Sequence, residues 1–314
     1  MEEWSVGVLV KPLTVIRELF IVRAFRSTGF RFTITPLTDN LPFLAFLAFP
    51  AFLSFTHGDI KLGATRQGEH RMKVIAFNCS PKAAKSNTDL ILQPFLRGLE
   101  KGAEVELHYV RNLKIKPCSG DLHCWFRKPG VCIHRDDMQA LYPKLREADL
   151  WVFGTPVFFD GVSGTMKTLM DRMVPLILPF VELRNGHCAH ALREGTKAGK
   201  VVLVSNCGFW ERDNFEPLLV HMKAFCRTIG RTFSGALLRP TGEAFRGLLE
   251  RKRPVTDILE AAEEAGRQLI REGEMSSETL EIISRELMPM DRFVVTSNKV
   301  CREMLENLYS ESSR

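Results

Sequence analysis

This chain of 314 residues contains no Gly-x-x-x-x-Gly-Lys-Ser/Thr stretch and no Gly-x-Gly-x-x-Gly. The first absence argues against a nucleotide triphosphatase loop, the second against a dinucleotide fingerprint. Cysteine is also scarce. Eight in a chain of this length are too few for a disulfide scaffold, and no convincing secretory leader precedes them, so a reducing cytoplasm is the expected setting. There is no long Lys/Arg block and no basic run interleaved with aromatics, which sets nucleic acid aside as a partner. The formal net charge of +6 is modest and spread out, and anionic small molecules explain it equally well. What remains is the composition of a soluble globular protein, 45% hydrophobic and 25% charged, in a chain longer than one average domain.

Residues 1–71 differ from the rest. They show little helical or strand periodicity and include Pro42–Phe55, with eleven apolar residues. That stretch is shorter than the roughly 20 residues a membrane helix needs, and Pro50 interrupts it. Three readings are open: a disordered or loosely packed extension, a membrane-surface segment, or a translated leader upstream of a start at Met72. The expected divisions are 1–71 as this extension, 72–272 as the main domain and 273–314 as a helical tail.

The run Lys73–Phe77 is short, apolar and β-branched, as a strand buried on both faces should be. After it, Leu92, Phe95, Leu96 and Leu99 recur at i, i+3, i+4 and i+7, the apolar stripe of a helix that ends at Gly102. Between them lies Asn78-Cys79-Ser80-Pro81-Lys82-Ala83-Ala84-Lys85-Ser86-Asn87-Thr88. A loop so placed turns unpaired backbone N–H groups and the positive end of a helix dipole toward one spot, where an anion fits. Ser80, Ser86 and Thr88 add hydroxyls, Asn87 an amide, and Lys82 or Lys85 a charge. A plain helix cap needs only one such residue; this number of donors favours phosphate. A phosphatase loop would place Arg six residues beyond a Cys nucleophile. Cys79 has Lys85 there, a point charge in place of a planar fork, which makes phosphatase the weaker alternative.

Further along, Val105–Val110 reads as a second strand, Asp149–Gly154 as a third, Val201–Ser205 as a fourth and Thr232–Leu238 as a fifth. Helices are expected after Asp136 or Asp137, from Gly164, over Phe215–Arg227 and over Val255–Ile270. Such alternation predicts an α/β fold, a doubly wound five-stranded parallel sheet with helices on both faces. Ligands in these sheets sit beyond the carboxyl ends of the strands, at a switch point. The loops after the first, third and fourth strands share that edge. One offers phosphate donors; Thr155-Pro156-Val157-Phe158-Phe159 and Asn206-Cys207-Gly208 offer apolar and small residues suited to a flat ring.

The ordered set Cys79-Ser80-Pro81-Lys82 with Ser86-Asn87-Thr88, Cys118-Ser119-Gly120 with Cys124-Trp125, Pro129-Gly130-x-Cys132, Asp136-Asp137-Met138, Gly154-Thr155-Pro156-Val157, and Met166-Lys167 with Asp171-Arg172 resembles the NAD(P)H-dependent FMN reductase and iron–sulfur flavoprotein family. The resemblance runs from about Met72 to the end of the fifth strand. It implies a flavodoxin-like fold and FMN, with the phosphate at Ser80, Lys82, Ser86, Asn87 and Thr88. The ring would lie against Thr155, Pro156, Val157, Phe158 and Phe159 on one side and Asn206, Cys207 and Gly208 on the other. It further implies NAD(P)H as co-substrate and a small-molecule or protein electron acceptor. No side chain is expected to act as acid or base, because the flavin carries the chemistry.

Members of that family with a cluster use four closely spaced cysteines. Here Cys118, Cys124 and Cys132 are present, but Asp121 stands where the second is expected, and carboxylate is a poor substitute for thiolate on iron–sulfur. No metal is therefore expected, and the thiols read as free. Asp171 and Arg172 read as a helix-to-loop salt link, Lys167 as either a solvated lysine or a cofactor contact, and Cys207 as either a reactive thiol or a buried filler. Amphipathic segments around Leu280–Met288 and Val300–Leu308 either cover the domain or meet another subunit, so a homo-oligomer is expected. Two functions follow: an FMN-dependent NAD(P)H oxidoreductase, or a non-enzymatic electron carrier of flavodoxin or iron–sulfur flavoprotein type.

Overall fold

The computed structural model describes residues 20–24, 32–36 and 71–312. The chain divides into two units, residues 1–64 and 65–314. In the first, β1 (Phe20–Ala24) and β2 (Phe32–Pro36) pair antiparallel. The stretch Pro42–Phe55 lies outside the described residues, and with it the three readings of the extension.

In the second unit the chain runs β3 (Met72–Asn78), α1 (Asn87–Leu99), β4 (Ala103–Tyr109), α2 (His123–Phe126), α3 (Met138–Glu147), β5 (Leu150–Pro156) and α4 (Gly164–Asp171). It continues as β6 (Ile177–Arg184), β7 (His187–Leu192), β8 (Lys200–Asn206), α5 (Glu216–Ile229), β9 (Thr232–Arg239), α6 (Gly242–Glu250), α7 (Thr256–Arg271), α8 (Ser277–Ser284) and α9 (Met290–Ser312). Five strands form one parallel sheet in the order β4-β3-β5-β8-β9, the flavodoxin order expected of the motifs. The chain steps outward from β3 to β4 and then crosses to β5, so the switch point lies between β3 and β5.

Successive residues of these strands serve opposite faces, and both faces are core. Ile75, Phe77, Trp151, Phe153, Val201 and Leu203 pack under α3, α4 and α5 with Met138, Leu141, Met166, Leu169, Leu218 and Met222. Val74, Ala76, Val152, Val202 and Val204 face α1 and α7 with Ile91, Leu92, Phe95, Ile258, Ala262 and Leu269. Where α1 and α7 meet, the backbones nearly touch. A Cβ on Gly98 would stand 2.0 Å from the Glu263 carbonyl oxygen, and one on Gly266 2.2 Å from that of Phe95.

Three features differ from the sequence reading. The β6–β7 hairpin turns at Asn185-Gly186, both with positive φ (51° and 78°), a two-residue turn signal that the strand–helix alternation concealed. Helix α6, between the fifth sheet strand and α7, was not expected. In the tail, α8 packs on α7 and β9 with Ile283 fully buried, so this part covers the domain. By contrast α9 starts already at Met290 and leaves Val294, Val295, Met304, Leu305 and Leu308 exposed.

Candidate functional site

The loop between β3 and α1 is held from below by one side chain. Asn78 is fully buried; its Nδ2 donates to Asp89 Oδ1 at 2.8 Å and its Oδ1 accepts the Ser80 N–H at 3.0 Å. The loop is fixed to its neighbours through Cys79, whose N–H donates to the Gly154 carbonyl at 2.7 Å and whose carbonyl accepts the Ser163 hydroxyl at 2.8 Å. Ser86 caps α1 by accepting the Asp89 N–H at 3.1 Å. The N–H groups of Asn87 and Thr88, in the first turn, have no intrahelical acceptor and remain available to a ligand. Burial raises the Asp89 pKa above the usual carboxylate range, against the lowering effect of hydrogen bonds from Asn78, Tyr109 and Gln93.

Above this loop lies a cavity of about 300 Å³ bounded by Ser80, Pro81, Lys82, Ser86, Asn87, Thr88, Pro156, Val157, Phe158, Asn206, Cys207, Gly208 and Glu243. The three predicted loops therefore converge, and eleven of the thirteen predicted cofactor-binding residues line one space. Two do not. Thr155 is fully buried behind it, accepting the Ser163 N–H at 3.1 Å and donating to the Pro156 carbonyl at 3.0 Å. Phe159 stands at a positive φ of 45° in a tight turn, its side chain in solvent. Thr88 reaches the cavity, but its hydroxyl donates to Asn206 Oδ1 at 2.6 Å, which leaves its backbone N–H as its donor for an anion.

Around the loop sit Lys82, paired with Glu243 at 3.4 Å, Arg111, which donates to the Pro81 carbonyl, and Arg246. Glu243 and Arg246 come from α6, which begins beyond the carboxyl end of β9; the position of that strand end on the ligand edge was the available signal. Lys167 makes an exposed i, i+4 pair with Asp171 at 2.5 Å and does not line the cavity. Arg172 is the expected helix-to-loop link, a buried bidentate pair with Asp136 at 2.7 and 3.0 Å. The same carboxylate caps α3 through the Met138 N–H, and Asp137 instead accepts the Lys114 N–H.

The cavity thiol, Cys207, is buried, donates to the Phe209 carbonyl at 3.4 Å and has its pKa pushed up by burial, which makes it a filler rather than a reactive thiolate. Burial drives the Cys79 thiol further up, so the phosphatase alternative lacks a nucleophile. An anion cradle joined to an apolar wall suits a flavin mononucleotide: free N–H groups, Ser80 and Ser86 at one end, Pro156–Phe158 and Gly208 at the other. A Cβ on Gly208 would meet nothing within 4 Å, so that wall is open to a flat ring.

Fold and cavity thus define a flavodoxin-like α/β domain with a loop-lined cavity at its switch point. Residues 72–212 match the family described as NADPH-dependent FMN reductase, which bears out the resemblance carried by the motifs. An iron-sulfur flavoprotein of Methanocaldococcus jannaschii is 38% identical over 115 residues, 36% of this chain and 58% of that protein. One of Archaeoglobus fulgidus is 34% identical over 129 residues, 41% of this chain and 62% of its own length. The chain thus spans about three fifths of the curated relatives it matches. Among solved structures, an NAD(P)H:quinone oxidoreductase from Methanothermobacter marburgensis superposes with a TM-score of 0.47 at 16% identity, over 63% of this chain and 97% of that one.

The cluster named in those relatives' descriptions was tested against the cysteine loop. Cys118 is exposed, and Cys124 and Cys132 are half-buried. Asp121 is already engaged, one oxygen accepting the His123 N–H at 2.7 Å and the other bonded to the Ser119 hydroxyl. Among the described residues no three His, Cys, Asp or Glu side chains are grouped to hold a metal ion. Three thiols and a committed carboxylate do not make the four-thiolate set that a four-iron cluster takes.

Proposed function

We propose that the protein is an FMN-dependent NAD(P)H oxidoreductase that passes electrons to a quinone, a small oxidant or a protein partner. The carrying observation is the convergence of three strand-end loops on one cavity with an anion cradle at one end and an apolar wall at the other. The family match over residues 72–212 supports the same cofactor and a nicotinamide donor. FMN held there would supply the redox chemistry, hydride acceptance from a nicotinamide and electron release to an acceptor. The protein's share is binding and orientation. Ser80, Lys82, Ser86 and the N–H groups of Asn87 and Thr88 hold the phosphate, while Pro156, Val157, Phe158, Asn206, Cys207 and Gly208 flank the ring.

The purified protein should show flavin absorbance, and rapid mixing with NADPH or NADH should bleach it. Bound flavin that neither nicotinamide bleaches would indicate an electron carrier; protein that binds no FMN would end the proposal. All eight cysteines are free, which supports a reducing cytoplasm as the setting. No helix among the described residues is long and apolar enough to cross a membrane. The exposed apolar side chains of α9 support a homo-oligomer, which light scattering on the intact chain would refute by returning a monomer mass.

A further inference from the structure

We propose that Arg246 is a positioning residue that sets Asn87 as a phosphate donor, an inference that rests on the FMN reading above. Arg246 Nε donates to Asn87 Oδ1 at 2.6 Å, and Nη2 donates to the Lys85 carbonyl at 2.9 Å. A guanidinium has no acceptor, so Asn87 must turn its oxygen toward Arg246. The amide NH2 is then the group that Asn87 can offer to the cavity it lines. A carbonyl beside the cradle, that of Lys85, is neutralised by the same guanidinium rather than left to repel an anion.

Asn206 is oriented more weakly, because its partner is a hydroxyl, which can donate or accept, and not a guanidinium. Its Oδ1 accepts the Thr88 hydroxyl at 2.6 Å, which leaves its NH2 as donor. Both amide nitrogens flank Gly242, at the start of α6: a Cβ there would stand 2.9 Å from Asn206 Nδ2 and 3.3 Å from Asn87 Nδ2. Two amides of the cavity wall therefore present their nitrogens beside one glycine, the chain neighbour of the cavity residue Glu243. Arg246 contributes by fixing the orientation of Asn87, for which its permanently charged, donor-only guanidinium is suited. An Asn87 released from it would be free to rotate and present its oxygen, which repels phosphate.

Riboflavin lacks the phosphate and separates this role from general support of the fold. FMN-stripped full-length protein is titrated with FMN and, separately, with riboflavin, following quenching of flavin fluorescence. Arg246→Ala should weaken FMN about 10-fold or more, the scale of a lost hydrogen bond to a charged group, and change riboflavin less than about 2-fold. In an Asn87→Ala background the same change should cost FMN affinity much less, because the side chain being oriented is gone. If Arg246→Ala does not fold, Arg246→Met, which keeps the aliphatic stem and removes every donor, carries the same comparison. Equal losses for both flavins, no loss for either, or full additivity with Asn87→Ala would each overturn the proposal. Protein whose wild type binds riboflavin and FMN equally overturns it too, while leaving the flavin reading intact; wild type that binds neither defeats both.

Discussion

Asn78 is the residue on which the cradle most depends, and its replacement gives a prediction with a sign that changes with pH. Asn78→Ala removes a hydrogen bond to Asp89 at 2.8 Å and the acceptor of the Ser80 N–H at 3.0 Å, both in a fully buried setting. A bond to a charged group contributes about 1.5–3 kcal/mol, and an orphaned buried donor costs about 1–3 kcal/mol. The two losses share one side chain and do not simply add, so about 3 kcal/mol is expected, against a total stability of about 5–15 kcal/mol. The variant should fold, with a lower urea midpoint and an unchanged slope. Asn78→Asp is sharper. It keeps an oxygen for the Ser80 N–H but sets a second carboxylate against Asp89, whose pKa burial already raises. Two carboxylates in one site force one pKa well above its unfolded value of about 4. A raised folded pKa means stability that is fully present below the unfolded pKa and lost as pH rises through the folded one. Asn78→Asp should therefore be less stable than Asn78→Ala at pH 7 and recover as pH falls toward 5. Urea melts at both pH values decide this: equal midpoints for the two variants at pH 7, or no recovery of Asn78→Asp on acidification, refute the reasoning.

Breaking the buried Arg172–Asp136 pair with Asp136→Asn should cost about 3 kcal/mol by thermal melting, since it leaves a guanidinium without its counter-charge. Burial works against ionisation of Asp136, but its bonds to Arg172 and to the Lys116 N–H outweigh that and hold the pKa low. Its stabilisation is thus present above about pH 4 and lost as pH falls through the lower folded value, an acid-side slope that Asp136→Asn should flatten. Gly98→Ala, which drives a Cβ to 2.0 Å from the Glu263 carbonyl, should lower stability by about 2 kcal/mol in urea; a neutral result would mean that α1 and α7 part easily. Thiol titration of the native protein should give fast labelling at Cys118, Cys188 and Cys301, and labelling of Cys79, Cys207 and Cys226 only on unfolding. Burial pushes the Cys226 thiol up to about 12, so a native peptide modified there would contradict its enclosed position.

The sheet was legible because its three central strands are buried on both faces, so runs such as Lys73–Phe77 and Val201–Ser205 announce themselves by composition alone. The three loops followed from the sheet, since strand order dictates which loops share an edge. Side-chain direction within those loops was not legible. Thr155 and Phe159 belong to the right loop, yet one hydroxyl is drawn back to Ser163 and the other residue is turned outward at a positive φ, neither of which spacing encodes. The hairpin did have a signal, Asn185-Gly186, overlooked because one strand–helix unit was expected to follow another.

Arg246 had only a positional signal, the ligand-edge end of β9 that α6 follows, and no local one. It lies at the end of a path that leaves the edge strand β9 and returns along α6 to pack against α1. Its two acceptors are 159 and 161 residues away, and no local pattern couples positions so separated. What the sequence does carry is the requirement that creates the coupling. Asn87 in the first turn of α1 has an amide that can face either way, and an orientation that favours phosphate needs a pure donor against its oxygen. In this chain an arginine from α6 supplies it. The motif Ser86-Asn87-Thr88 therefore names the ligand-facing atoms but not the group that makes them donors. For a phosphate cradle of this kind, the residues outside the motif that face its amide oxygens decide whether the motif works.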